Sequence, residues 1–347
     1  MSGERTGPAE LRDVLVGGLE RQVFSGAAWS VGGADGPRTR GFLGTSRWGG
    51  PAVGEHSLWD LASVTKPVVG LVVMALVESG DLSLEQTLGG LLPGYATGDK
   101  ADLTVAQLMT HTSGLPGATP LWRTHSTRSA LLAAIRDTPL PAAPGTRVEY
   151  SSQGFILLGL VAETVGRRPL DVLVRDLVTA VVGMPETTYA ADPARAVSTE
   201  LCAWRGHLVT GQVHDENAVV LGAPGGHAGL FAPLADLERL GSRLVAGAHG
   251  VLEPETFTLM TRGHTDGLNL RRGLAWQGRD EIGSPVGTGP GPTSFGHTGF
   301  TGTSLWVDPQ LGRYYVLLTN RVHPSRAGTG IVGVRREFHD AAAGLSR

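Results

Sequence analysis

Lysine is nearly absent from this chain. Of its 29 basic residues only Lys66 and Lys100 are lysines, and the rest are arginines. A guanidinium stays protonated and cannot serve as a base, whereas an amine can lose its proton once desolvated. Cysteine is scarcer still. Cys202 stands alone, which excludes an internal disulfide and suits a reducing compartment. It has no surrounding catalytic-thiol motif. Runs of like charge are missing and the formal net charge is −3, so neither nucleic acid nor an acidic membrane surface is an expected partner. The longest apolar run, Pro67 to Val77, is too short to span a bilayer. The first ten residues hold no apolar segment, so no secretory signal is expected and a cytoplasmic location is.

What is present is an ordinary globular composition: 347 residues, 41% hydrophobic and 18% charged, enough for two domains or one large one. Leu11, Leu15, Leu19 and Val23 recur every four residues, which predicts an amphipathic N-terminal helix. Ala27 to Val31 and Thr39 to Leu43 predict strands joined by a hairpin turn. A helix is predicted from about Ser63 to Glu78. Pro67 fits it, because the first four N–H groups of a helix have no internal partner. Ser83-Leu-Glu-Gln86 and Thr104-Val-Ala-Gln107 fit the capping-box pattern of helix starts. Further helices are predicted over Phe155 to Val165, Asp236 to Val245 and Val332 to Ala343. Strands return at Gly302 to Val307 and Tyr314 to Leu318. Strands at both ends and helices between them predict an α+β fold. One lobe (1–75 and 265–347) would carry an antiparallel sheet drawn from both chain ends and flanked by helices. The other (76–264) would be a mainly helical insert, with the active site between the two.

Three stretches carry chemistry. In Ser63-Val64-Thr65-Lys66 a hydroxyl and an amine share one helical face, the arrangement in which an amine activates a serine nucleophile. At a helix start, N–H groups and the dipole favour developing negative charge. Tyr150-Ser151-Ser152 opens another helix, and a phenol beside an amine can pass a proton in both directions. His297-Thr298-Gly299 leads toward a strand, where small residues let a substrate approach a free N–H.

In this order and spacing, the three stretches resemble the serine β-lactamase and penicillin-recognising enzyme superfamily, with its signatures S-x-x-K, Y-x-N and K-T-G or H-T-G. The similarity is greatest to the class C-like branch that includes family VIII carboxylesterases. Gln107 to Leu115, Val213-His-Asp-Glu-Asn-Ala218, Gly226-His-Ala-Gly-Leu-Phe231 and Leu318-Thr-Asn-Arg321 are similar too. The resemblance implies a β-lactamase/transpeptidase-like fold and acyl transfer through an acyl-serine, without metal or organic cofactor. Ser63 would be the nucleophile and Lys66 with Tyr150 its proton-transfer pair. The N–H groups of Ser63 and Phe300 would form the oxyanion hole, and His297, Thr298 and Gly299 would line the site.

Two departures shift the expected substrate. Ser152 replaces the asparagine of Y-x-N, which shortens or removes an amide contact. His297 replaces the lysine of K-T-G, and a histidine near neutral pH is only partly charged, which predicts weaker, pH-dependent binding of a substrate carboxylate. The expected reaction is hydrolysis of an ester or activated acyl group. Two alternatives stay open: transfer of the acyl group to an amine in natural-product biosynthesis, and D-amino-acid peptidase, amidase or weak β-lactamase activity. A non-catalytic binding module is disfavoured by the intact Ser63, Lys66 and Tyr150. The oligomeric state is left open.

Other attractive residues have plainer readings. Gly328-Thr-Gly330-Ile-Val-Gly333 has the spacing of a dinucleotide loop, but only 14 residues follow it, too few for the acidic strand such a site needs. His207, His214, Asp215, Glu216 and His227 lack metal-ligand spacing and are expected to support loops. His111 is expected to be a structural hydrogen-bonding residue, and Trp59 a core residue.

Overall fold

A computed structural model describes residues 7–222 and 224–346. The strands are β1 (Gly26–Gly33), β2 (Gly36–Gly44), β3 (Trp59–Asp60), β4 (Leu201–Cys202), β5 (His207–Leu208), β6 (Phe231–Ala232), β7 (Gln277–Gly278), β8 (Phe295–Thr298), β9 (Ser304–Asp308) and β10 (Arg313–Thr319). Helices α1 (Pro8–Glu20) and α2 (Thr65–Glu78) precede a helical stretch of α3 (Leu88–Leu91), α4 (Val105–Met109), α5 (Arg128–Asp137), α6 (Ser152–Gly166), α7 (Leu170–Val174), α8 (Ala180–Val182) and α9 (Glu216–Leu221). Then come α10 (Leu234–Val245), α11 (Pro254–Thr261) and the terminal α12 (Ile331–Gly344).

The main sheet is antiparallel with strand order β2-β1-β10-β9-β8-β7. Its centre joins the two ends of the chain, with Ala27 opposite Thr319 and Val31 opposite Tyr315, as the α+β reading expected. Alternation sorts the side chains of β10. Tyr315 and Leu317 face α1 and α12, beside Leu15, Trp29, Trp306 and Phe338. Tyr314, Val316 and Leu318 face the larger core, shared with α2, α6 and α10. A strand covered on both faces needs apolar residues at successive positions, which is why Tyr314 to Leu318 reads as an unbroken run.

Helix α10 lies inside the 76–264 segment yet packs on the sheet. Gly241 brings it there, since a Cβ at that position would fall 2.6 Å from Cγ of Tyr314. Helix α2 is buried along nearly its whole length, so it is a central rod with no solvent face. Pro67 sits within its first turn, where its missing N–H costs nothing. The capping box at Thr104 and Gln107 forms. The one expected at Ser83 does not start a helix. Gln86 Oε1 accepts the Ser83 N–H at 2.8 Å within a turn, and the next helix is capped by Thr87 instead. Among the described residues, no helix is long and apolar enough to cross a membrane.

Two glycine substitutions in helices should have opposite signs. Gly→Ala in a helix normally gains roughly 0.5–1 kcal/mol. Gly333 is exposed and open around its Cβ position, so Gly333→Ala should show that gain in urea unfolding. Gly241→Ala should lose about 1–3 kcal/mol through overpacking against Tyr314, and equal shifts in the two variants would refute the packing described.

Candidate active site

The strand pair β3 and β6 delivers the chain to the cleft. Asp60, at the end of β3, accepts the N–H groups of Ala62 at 2.8 Å and His214 at 2.6 Å. Burial raises its carboxyl pKa, opposed by those same N–H groups. A 3-10 turn, Ala62–Val64, then leads into α2. Ala62 has φ +47°, a left-handed conformation that strains a residue with a Cβ. It immediately precedes Ser63. His111 and Ala275, which also line the cleft, have φ +59° and +67°, so strained backbone gathers at this site.

Ser63 Oγ accepts a hydrogen bond from Lys66 Nζ at 2.9 Å and another from Tyr150 Oη at 2.7 Å. The three residues expected to act together are therefore in direct contact. Lys66 is fully buried. Its ammonium also donates to His227 O at 2.9 Å and lies 4.9 Å from the Tyr150 ring centroid. The other lysine makes a useful contrast. Lys100 Nζ is held by the Asp99 carboxylate and by the carbonyls of Arg136 and Thr138. A carboxylate is among the partners of Lys100, whereas the hydrogen-bond partners of Lys66 Nζ among the described residues are a hydroxyl and a carbonyl.

Tyr150 is set by His111. Its neighbours Glu149 and Ser151 donate N–H groups to His111 O at 2.8 Å and to His111 Nδ1 at 3.1 Å. The two rings lie 4.7 Å apart. Burial, then the charges of Arg272 and Lys66, hold His111 well below its ordinary pKa, as an Nδ1 acceptor requires. The structural reading of His111 thus holds, at a position one contact from the chemistry.

The carbonyl that receives Lys66 sits on a loop held from two sides. His227 Nε2 contacts Asp215 Oδ1 at 3.1 Å. Burial favours a neutral Asp215, but the His227 charge and hydrogen bond, the Ala218 N–H and the Lys66 charge bring its pKa below the carboxylate range. On the other side the loop presses on α6, and a Cβ on Gly226 would meet Phe155 O at 2.1 Å. Only glycine fits there. Asp215 and His227 were expected merely to support loops. They hold the carbonyl that accepts from Lys66 Nζ, and the signal in the sequence was faint because 161 residues separate Lys66 from that carbonyl.

His297 and Thr298 end β8 rather than preceding a strand at Gly302, and β9 begins only at Ser304. The two-residue β7 pairs with Gly296 and Phe295 alone, so the outer edge beside His297 and Thr298 is open and faces the cleft. The turn after Gly299 is stitched to the segment that leads into Ser63. Thr301 Oγ1 donates to Asp60 O at 2.7 Å, and Thr303 Oγ1 to Leu61 O at 2.9 Å. The space beside Gly299 is closed to a Cβ, which would lie 2.6 Å from Leu61 O. One expectation is corrected here. His297 is not partly charged near neutral pH. Burial first, then the Lys66 cation, pushes its pKa down to about 3, and its Nδ1–H donates to Thr298 O at 2.8 Å.

The cleft is a 780 Å³ cavity. Ser152 opens α6 on its wall. Pro120, Trp122 and Phe300 give its lining an apolar, aromatic part that reaches the surface, and Trp276 lines it from the buried core. Asn217 ties this wall to α9, accepting Trp122 N–H at 2.9 Å and donating to Thr119 O at 3.0 Å. Phe300 is held between the His214 ring, 5.6 Å away, and the Arg321 guanidinium, 4.1 Å away. Behind them, Arg326 bridges Glu200 and Glu216, and Glu200 contacts His214 Nε2 at 3.0 Å. The acidic atoms of Glu200 and Glu216 converge with the thiol of Cys202, but the Arg326 guanidinium already pairs with both carboxylates. Gly328 to Gly330 form the rim leading into α12, not the phosphate loop of a βαβ unit. The cleft arginines went unread in the sequence, since arginine is this chain's common cation.

This geometry agrees with what the chain is similar to. A family model described as Beta-lactamase matches residues 11–335. A relative from Escherichia coli (strain K12), described as "Putative D-alanyl-D-alanine carboxypeptidase", is 29% identical over 77% of this chain and 70% of its own length. Among solved structures, EstCE1, "a hydrolase with promiscuous acyltransferase activity", superposes with TM-score 0.79 at 21% identity, covering 96% of this chain and 98% of its own. Simvastatin Synthase (LovD) from Aspergillus terreus does so with TM-score 0.77 at 17% identity, over 97% and 98%. The serine acyl-transfer geometry and the matched residues lead to one conclusion: the chain belongs to the Beta-lactamase family.

Proposed function

We propose that the protein is a serine-dependent acyl-transfer enzyme that hydrolyses an ester or activated acyl group through an acyl-Ser63 intermediate. The observation that carries this reading is the pair of hydrogen bonds converging on Ser63 Oγ from Lys66 Nζ and Tyr150 Oη. In the reactive state one member of that pair lacks its proton. It takes the Ser63 hydroxyl proton as Oγ bonds to the acyl carbon. The carbonyl oxygen becomes an oxyanion between the N–H groups of Ser63 and Phe300. Collapse expels the alcohol, which leaves with a proton delivered through Tyr150. Water then repeats the sequence on the acyl-serine and restores the free hydroxyl.

Three features favour an ester over a peptide or a β-lactam. Ser152 offers a short hydroxyl where relatives carry an amide. His297 brings no charge to a substrate carboxylate. The aromatic lining suits an apolar acyl or alcohol group. An amine acceptor in place of water is the second reading, supported by the acyltransferase descriptions of EstCE1 and LovD. A cytoplasmic site of action accords with the single cysteine.

Intact-protein mass spectrometry with p-nitrophenyl esters should detect an acyl adduct on the wild type and none on Ser63→Ala. Equal turnover by the two would remove the catalytic reading. Adding candidate amines separates the two acceptors by product. Lys66→Arg keeps the charge and loses the base, so turnover should fall roughly a hundredfold or more in folded protein; near-normal turnover would refute Lys66 as a proton acceptor.

A pH test follows from the corrected state of His297. Its folded pKa lies far below neutral, so it is neutral on both sides of pH 6.5. The kcat/KM profile of His297→Asn should therefore run parallel to that of the wild type from pH 5 to about 8. An inflection near pH 6.5 present only in the wild type would show that His297 titrates in the working range.

A further inference from the structure

The Phe300 N–H belongs to the peptide that joins Gly299 to Phe300. In a trans peptide the C=O and N–H point in opposite directions, so whatever holds Gly299 O also aims the Phe300 N–H. Gly299 O accepts the Gly302 N–H at 3.1 Å within its own turn. It also accepts Arg335 Nη2 at 2.6 Å, and the same nitrogen donates to Thr303 O at 2.8 Å. Arg335 comes from the first turns of α12 and grips the turn from behind. The following carbonyl, Phe300 O, accepts Arg321 Nε at 2.6 Å.

Arg335 is also an electrostatic oddity. It is 6% exposed, and no carboxylate pairs with it among the described residues. Burial, then the charge of Arg321, lowers its pKa to about 9, so it remains a cation at neutral pH. A buried charge without a counter-ion is costly to the folded state. Such a charge is useful where negative charge appears only during reaction. A donor on the carbonyl of a peptide also polarises its N–H and strengthens it as a donor.

We propose that Arg335 is a positioning residue for the oxyanion hole, gripping the carbonyl side of the Gly299–Phe300 peptide so that its N–H is fixed and polarised toward the acyl oxygen at Ser63. This rests on acyl transfer at Ser63. Arg335 also borders the cleft, where the competing role would be to bind a substrate carboxylate directly.

The test uses the full-length protein and the variants Arg335→Gln and Arg335→Lys. Substrates are neutral p-nitrophenyl acetate and anionic mono-p-nitrophenyl succinate. The probe for the hole is a neutral aryl trifluoromethyl ketone, which adds Ser63 Oγ and places an oxyanion in the hole. In Arg335→Gln, kcat on the neutral ester should fall roughly a hundredfold, with KM within about twofold. Trifluoromethyl ketone affinity should fall by a matching factor, and Arg335→Lys should recover only part of both. Wild-type kcat in folded Arg335→Gln overturns the proposal, as does a loss confined to KM for the succinate ester. If Arg335→Gln does not fold, the acyl carbonyl stretch decides. Infrared spectra of acylated Arg335→Lys should show it at higher frequency than in the wild type, and an unchanged stretch overturns the proposal. Absence of any adduct on wild-type Ser63 would instead sink the acyl-transfer reading itself.

Discussion

A lysine amine buried against one hydroxyl and one carbonyl is the constraint on which the site depends. An ammonium in that position is stable only where every surrounding oxygen is placed to receive it. Ser63 supplies one through the S-x-x-K spacing, and His227 supplies the other from across the cleft. The rest of the neighbourhood serves to keep those oxygens in place. Asp215 holds His227, Gly226 lets the loop close on α6, and Asp60 fixes the strained turn ahead of Ser63. Lys100 shows the opposite solution in the same chain, with a carboxylate beside the amine and no chemistry attached.

The arginines form a second layer with a different task. Arg335 and Arg321 bind the backbone carbonyls of the turn that follows β8, and Arg326 pairs with two glutamates behind the cleft wall. None of them can exchange a proton at neutral pH. In this cleft guanidinium groups hold backbone carbonyls and carboxylates while the Lys66 amine contacts Ser63, so residue type divides the two sets of contacts. The near-exclusion of lysine elsewhere in the chain matches that separation.

Much of the fold was legible because local pattern and tertiary role agree. The β1–β2 hairpin, the apolar run of β10, the proline-tolerant start of α2 and the capping box at Thr104 each follow from spacing that physics fixes locally. Ser83 misled because a capping box can close a turn as well as a helix. His297 misled because an isolated histidine titrates near neutrality, while this one is buried beside a cation. Helix α10 was read correctly as a helix. Its seat on the sheet rests on the close approach of Gly241 to Tyr314, a contact between distant parts of the chain.

By itself the sequence determined which residues can do chemistry: one serine three residues before a rare lysine, one tyrosine opening a helix, and a small-residue stretch near the C-terminal strands. Those are matters of side-chain type and helical spacing, which act over a few residues. Only the tertiary structure decided how that chemistry is held. The carbonyl for Lys66, the neutrality of His297 and the grip of Arg335 on Gly299 all join residues far apart in the chain. Burial and orientation arise only when the chain closes on itself, so no local pattern encodes them.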